Sequence, residues 1–276
     1  MAGPSPATNV RETHLLEGLE LPPVIGHRGA AAHAPENTLA GFRAARALGC
    51  GWVEFDVRLT ADGMPVICHD DRLDRTSNGR GRISRLPLAA LSALDAGSWF
   101  GPAFAGETIP TLEAALDCCR VLGLGANVEI KAEHRLERAT AEAVAAVLAR
   151  SAGSLPPVLI SSFLPEAVAA AAALAPAVPR GMLFRRIPAD WAAIAEELGC
   201  ATIHAGEREL DAGVAREVVA AGYPLLAYTV NDAARARQLF GWGVASVFSD
   251  APDIISPMAD RTAAGEPSGA RRGAST

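Results

Sequence analysis

Glu54-Phe55-Asp56 and Glu129-Ile130-Lys131 share one spacing: charged residues two positions apart within apolar runs. In an extended strand, residues two apart project from the same face. Glu54 and Asp56 therefore point together, with Trp52 on the same side. Two carboxylates on one face of an apolar strand are costly unless positive charge meets them. A hard divalent cation held by carboxylate oxygens would supply it; a salt bridge to Arg or Lys at the strand end is the plainer reading. Glu129 would complete a three-carboxylate set, and Lys131 would bring a point charge to a phosphate oxygen. A structural Glu–Lys pair fits Glu129 and Lys131 as well.

Two histidines close apolar runs. His27 stands in Gly26-His27-Arg28-Gly29 and His69 in Val66-Ile67-Cys68-His69-Asp70-Asp71. Imidazole titrates near neutral pH and serves as a general acid or base, although a lone histidine after a strand is more often incidental. Asp70 and Asp71 either orient His69 or are turn residues. Pro35-Glu36-Asn37-Thr38 opens a helix, with Asn37 a candidate N-cap. Phe163 and Tyr228, near two strand ends, suit either an apolar wall beside a substrate or the core. Asp250 reads as a helix cap. His14, His33, His134 and His204 receive no catalytic role, and His204 reads as a core histidine.

The elements that must position these groups alternate regularly. Strand candidates begin at Val24 and Trp52 and continue at Ala126, Val158, Arg180, Ala201, Pro224 and Ala245. Amphipathic Ala/Leu-rich stretches separate them, over residues 37–48, 112–122, 136–150, 165–174, 189–198, 211–221 and 232–242. Gly49, Gly123, Gly222 and Gly243 follow four of these as stop signals. About eight strand–helix units predict a closed (β/α)₈ barrel. An open doubly wound sheet ranks lower, because eight similar units fill the length without a second domain. The barrel is expected over residues 21–260. Ahead of it lies a flexible segment, 1–20; behind it a tail rich in Gly, Ala, Ser and Arg, 261–276, is expected to be disordered. Residues 70–110 lack a helix period and follow a turn signal, Ala61-Asp62-Gly63. They read as a small inserted subdomain between the second and third barrel strands, capping the face where barrel chemistry occurs.

Composition narrows the function classes. The 276 residues carry a net charge of −6, so no overall basic bias points to nucleic acid or an anionic membrane. Any positive charge for an anionic substrate must be local. Five cysteines, an odd number without CxxC spacing, suit a reducing compartment, hence a cytoplasmic location. The first 20 residues lack a secretory pattern. No apolar run approaches the roughly 20 residues of a membrane span, so no stable membrane association is expected.

Each cluster alone is weak, but their order is specific. The series His27-Arg28-Gly29, Pro35-Glu36-Asn37-Thr38, Glu54-Phe55-Asp56, His69-Asp70, Glu129-Ile130-Lys131, Ser162-Phe163, Tyr228-Thr229-Val230-Asn231 and Ser249-Asp250 resembles the glycerophosphodiester phosphodiesterase family. The likeness runs from Val24 to Asp253 and looks nearest to bacterial cytosolic members. Asp74-Arg75-Thr76-Ser77-Asn78-Gly79 and Asp95-Ala96-Gly97-Ser98-Trp99 strengthen it. The resemblance implies a (β/α)₈ TIM barrel that hydrolyses small-molecule glycerophosphodiesters, such as glycerophosphocholine and glycerophosphoethanolamine, to sn-glycerol 3-phosphate and an alcohol. It implies one divalent cation, Mg²⁺ or Ca²⁺, at Glu54, Asp56 and Glu129, and an acid–base pair at His27 and His69. It implies substrate contacts at Arg28, Lys131, Phe163 and Tyr228, where many members carry Trp in place of Tyr228. A homodimer stays open. Two rival readings are a phospholipase C or D acting on intact lipid and a non-catalytic barrel that binds glycerol phosphates or a protein.

Overall fold

The alternation closes on itself. In the computed structural model, which describes residues 20–255, nine strands form one sheet: β1 (Val24–Gly26), β2 (Trp52–Leu59), β3 (Pro65–Ile67), β4 (Gly125–Ile130), β5 (Val158–Ser162), β6 (Arg180–Phe184), β7 (Thr202–Gly206), β8 (Leu225–Tyr228) and β9 (Ser246–Ser249). All but β3 run parallel. Pairing of β1 with both β9 and β2 closes the eight-stranded (β/α)₈ barrel. β3 lies antiparallel on β2, the hairpin turning at Thr60–Met64.

Helices α1 (Leu39–Ala47), α3 (Leu112–Leu122), α4 (Glu137–Arg150), α5 (Pro165–Leu174), α6 (Trp191–Glu197), α7 (Ala212–Ala220) and α8 (Ala233–Gly241) wrap the barrel. The short α2 (Leu88–Leu91) belongs to the insertion. Thr38, not Asn37, caps α1: its hydroxyl accepts from the Gly41 amide. Gly123 ends α3 in the left-handed conformation, at φ 65°, which glycine adopts without steric cost.

The parallel strands are buried along nearly their whole length, as strands covered on both faces must be, and the polar residues they carry, Glu54, Asp56 and Glu129 among them, are buried with them. Between sheet and helices the core is built from residues such as Phe42, Val128 and Val144 on one side and Trp191, Leu225 and Leu239 on the other. Ile25, Trp52, Leu159, Leu226 and Phe248 meet inside the barrel and form its floor. The Trp52 indole lies against Gly125, where a Cβ would come within 2.2 Å of the ring. The segment 70–110 has few regular elements but packs Leu73, Ile83, Leu91, Ala96 and Ile109 into a small core against Val66 and Cys68 of the hairpin. Local periodicity fails there because this short packing follows tertiary contacts rather than helix pitch. The expected flexible lead, except Glu20, and the expected tail lie outside the described residues.

Candidate active site

Above the Trp52 floor, the alternation of β2 turns Glu54 and then Asp56 into the barrel. Register with β4 sets Asp56 beside Glu129. Carboxylate oxygens of Glu54, Asp56 and Glu129 lie within 4.8 Å of one another, and all three residues are buried. Burial, then the charges of Asp56 and Glu129, holds Glu54 well above the usual carboxylate range. Burial and the neighbouring Asp56 push Glu129 up to about 7. Asp56 is just as deep, yet Lys131, Arg28 and His69 outweigh its desolvation and hold it at about 2. Lys131 Nζ lies 2.8 Å from Glu129 Oε1 and 3.5 Å from Asp56 Oδ1. Arg28 Nε lies 3.4 Å from Asp56 Oδ2.

Asp56 is further fixed by Asn37, whose side-chain amide donates to Asp56 Oδ2 (2.8 Å) and whose carbonyl accepts from the Asp56 amide (3.1 Å). The Arg28 amide donates to Glu54 Oε2 at 3.0 Å. Glu54 Oε1 is buried with no hydrogen-bond partner. An orphaned carboxylate oxygen, converging with two further carboxylates, fits a hard divalent cation.

Both histidines are held the same way. His27 Nδ1 lies 2.6 Å from Asp250 Oδ1, and Asn231 braces that carboxylate through Oδ2 at 2.7 Å. His69 Nδ1 lies 2.7 Å from Asp70 Oδ1, and Arg75 braces Asp70 at 2.8 Å through Nε. An ionised carboxylate only accepts, so each Nδ1 carries the proton and each Nε2 is left for chemistry. His27 Nε2 lies 3.9 Å from Glu54 Oε2, beside the acidic cluster. Burial lowers the His69 pKa, with the opposing charge of Asp56 limiting the shift. β3 and the hairpin deliver His69, while Arg58 grips its carbonyl at 2.6 and 2.8 Å.

Arg28 pairs with Glu36 at 2.7 Å, and Arg75 reaches the same carboxylate at 2.6 Å. At the rim, Lys131 Nζ sits 5.6 Å from the Phe163 ring centroid. Phe163 meets Tyr228 edge-on at 5.7 Å, and the Tyr228 hydroxyl donates to the Phe184 carbonyl at 2.7 Å. His204 lies wholly buried inside the barrel, and burial pushes it down to about 3, so it stays neutral. Two clefts open nearby. One, of about 500 Å³, is lined by His27, Arg28, Glu36, Trp99, Phe100 and Asp250, among others; the second, of about 470 Å³, by residues including Arg185, Glu207, Arg208, Tyr228 and Thr229.

The structure thus gathers His27, Arg28, Glu54, Asp56, Glu129 and Lys131 by direct contact, and ties His69 to them through the chain Asp70–Arg75–Glu36–Arg28. Sequence reasoning read Asp250 as a helix cap and Asn37 as an N-cap. Both instead hold site residues. Closure would have signalled Asp250: a carboxylate after the last strand must face the residue after the first.

A model of the Glycerophosphoryl diester phosphodiesterase family matches residues 27–254. The chain belongs to that family. As a member it is an enzyme, a glycerophosphodiester phosphodiesterase. The glycerophosphodiester phosphodiesterase of Bacillus subtilis strain 168 is 31% identical over 249 residues, 84% of this chain and 84% of its own. An Oleispira antarctica phosphodiesterase, solved with the product sn-glycerol-3-phosphate, superposes with a TM-score of 0.84 at 44% identity, covering 87% of this chain and 97% of its own. The glycerophosphodiester phosphodiesterase of Agrobacterium tumefaciens gives 0.74 at 28% identity, covering 86% and 100%. No helix among the described residues is long and apolar enough to cross a membrane.

Proposed function

We propose that this enzyme hydrolyses deacylated phospholipids, glycerophosphocholine and glycerophosphoethanolamine among them, to sn-glycerol 3-phosphate and an alcohol. One divalent cation, Mg²⁺ or Ca²⁺, is held by Glu54, Asp56 and Glu129, and His27 and His69 form the acid–base pair. The observation that carries this is the pairing of a buried three-carboxylate cluster with two imidazoles, each fixed at Nδ1 by an aspartate. The product in the Oleispira antarctica structure supports the same substrate class. The five free thiols suit a reducing cytoplasm.

A phosphodiester is anionic and repels its nucleophile. Arg28 and Lys131 contact the non-bridging oxygens and offset charge as it grows in the transition state. A divalent cation held by Glu54, Asp56 and Glu129 would supply Lewis-acid stabilisation of that charge. One imidazole takes the nucleophile's proton at Nε2. The other, starting as an imidazolium, gives its own Nε2 proton to the leaving alcohol as the P–O bond breaks and ends neutral. Two nucleophiles satisfy this scheme: the glycerol 2-hydroxyl, through a cyclic phosphate that water opens, and water directly. Phe163 and Tyr228 wall the glycerol side.

Two predictions arise here. Asp250→Asn is expected to lower kcat at least about ten-fold with little change in thermal midpoint, because an amide no longer enforces the His27 tautomer. Steady-state kinetics check it, and unchanged kcat would remove Asp250 from the account. The second concerns pH. Burial and the neighbouring Asp56 push Glu129 up to about 7, so below that pH a cation is expected to displace a proton. Affinity is then expected to fall about ten-fold per pH unit for each proton released. Calorimetric titration with Mg²⁺ at pH 6 and 8 measures it, the tighter binding being at pH 8.

Product analysis tests the function itself. Glycerophosphocholine is expected to yield choline and sn-glycerol 3-phosphate, while lysophosphatidylcholine stays intact. Cleavage of the lysolipid in preference would favour a phospholipase.

A further inference from the structure

The insertion presents an aromatic side chain that the proposed chemistry does not use. Trp99 is 42% exposed, yet it is rigidly mounted. Its indole N–H donates to the Ala96 carbonyl at 2.8 Å. Asp95 pins the loop by accepting from the amides of Gly97 (2.8 Å), Ser98 (2.7 Å) and Gly106 (2.9 Å) and from the Ser98 hydroxyl (2.8 Å). Gly97 is required, since a Cβ there would stand 1.9 Å from the Phe104 carbonyl oxygen. Phe100 braces Trp99 edge-on at 5.7 Å. Leaving so large an apolar ring in water is unfavourable, and holding it rigid there suits recognition.

Trp99 shares its cleft with His27 and Asp250, so a substrate whose phosphate sits at the acidic cluster has room to send one arm towards it. With the indole N–H committed, the ring offers its π face rather than a hydrogen bond. Asp250 adds negative charge to the same cleft: its side chain is 29% exposed, and its side-chain partners are an imidazole and an amide. Arg28 also lines the cleft, but its guanidinium pairs with Glu36 and Asp56. An aromatic face beside a carboxylate is the chemistry that recognises an organic ammonium. The alternatives are less suited. Lys131 already stands over the other exposed aromatic of the mouth, Phe163, and in the second cleft Glu207 and Glu209 are already paired with the guanidiniums of Arg235 and Arg186, with Arg185 and Arg208 alongside.

We propose that Trp99 and Asp250 form the subsite for the leaving alcohol and that it selects an ammonium-bearing alcohol, choline or ethanolamine, over a neutral one. The inference rests on the activity proposed above. Its test is the ratio of kcat/KM for glycerophosphocholine to that for glycerophosphoglycerol. Trp99→Leu keeps apolar bulk and removes the π face; it is expected to lower this ratio about ten-fold, while Trp99→Phe retains part of it. An unchanged ratio in Trp99→Leu overturns the subsite. If wild-type protein hydrolyses neither diester, the activity proposal fails instead. The subsite is then read by quenching of tryptophan fluorescence with glycerophosphocholine: quenching seen in wild type and lost in Trp99→Phe supports it, and equal quenching in both, or none in wild type, overturns it.

Discussion

Replacing His27 or His69 by alanine is expected to cost at least about 100-fold in kcat, the usual scale for a group that moves a proton in the transition state. KM should change far less, because the loss falls on the chemical step rather than on ground-state binding. Neither substitution should unfold the protein. The His27 and His69 side chains are 16% and 31% exposed and lie outside the hydrophobic clusters. Their aspartates keep other partners, Asn231 for Asp250 and Arg75 for Asp70, so neither substitution strands a buried charge. Kinetics on glycerophosphocholine, with a thermal melt as control, decide the matter. Near-normal turnover in either variant would remove that histidine from the chemistry.

Chelation is expected to be as severe, abolishing turnover until Mg²⁺ or Ca²⁺ is returned. Three buried carboxylates face one another, with Lys131 and Arg28 in direct ionic contact with the cluster and His27 Nε2 3.9 Å from Glu54, and Glu54 Oε1 has no hydrogen-bond partner. Burial and mutual repulsion push Glu54 and Glu129 upward, and a cation relieves that repulsion. A second readout is independent of activity. A cation at 100 times its Kd should stabilise the fold by about 2.7 kcal/mol, visible as a rise in Tm that Glu129→Gln reduces. Full activity of metal-stripped protein would rule out the cation.

The barrel was legible because its signal is local. Apolar runs and helical stretches alternate in sequence, and α3 and α5 occupy the spans that periodicity assigns them. The carboxylate cluster was legible for the same reason, since strand geometry alone turns Glu54 and Asp56 to one side. The supports of the histidines were not. His27 and Asp250 stand 223 positions apart and meet only because β1 pairs with β9. Asn37 carries a helix-start residue type, but the chain turns it towards β2 and leaves capping to Thr38. The Trp99 loop was visible only as a motif, because its side-chain-to-backbone bonds leave no periodic trace.

Phosphorus NMR of glycerophosphocholine incubated with the protein and Mg²⁺ tests the central claim most directly. The account predicts that the diester resonance is replaced by that of sn-glycerol 3-phosphate, with an equal amount of choline released. An unchanged diester, or phosphocholine in place of glycerol 3-phosphate, would contradict it.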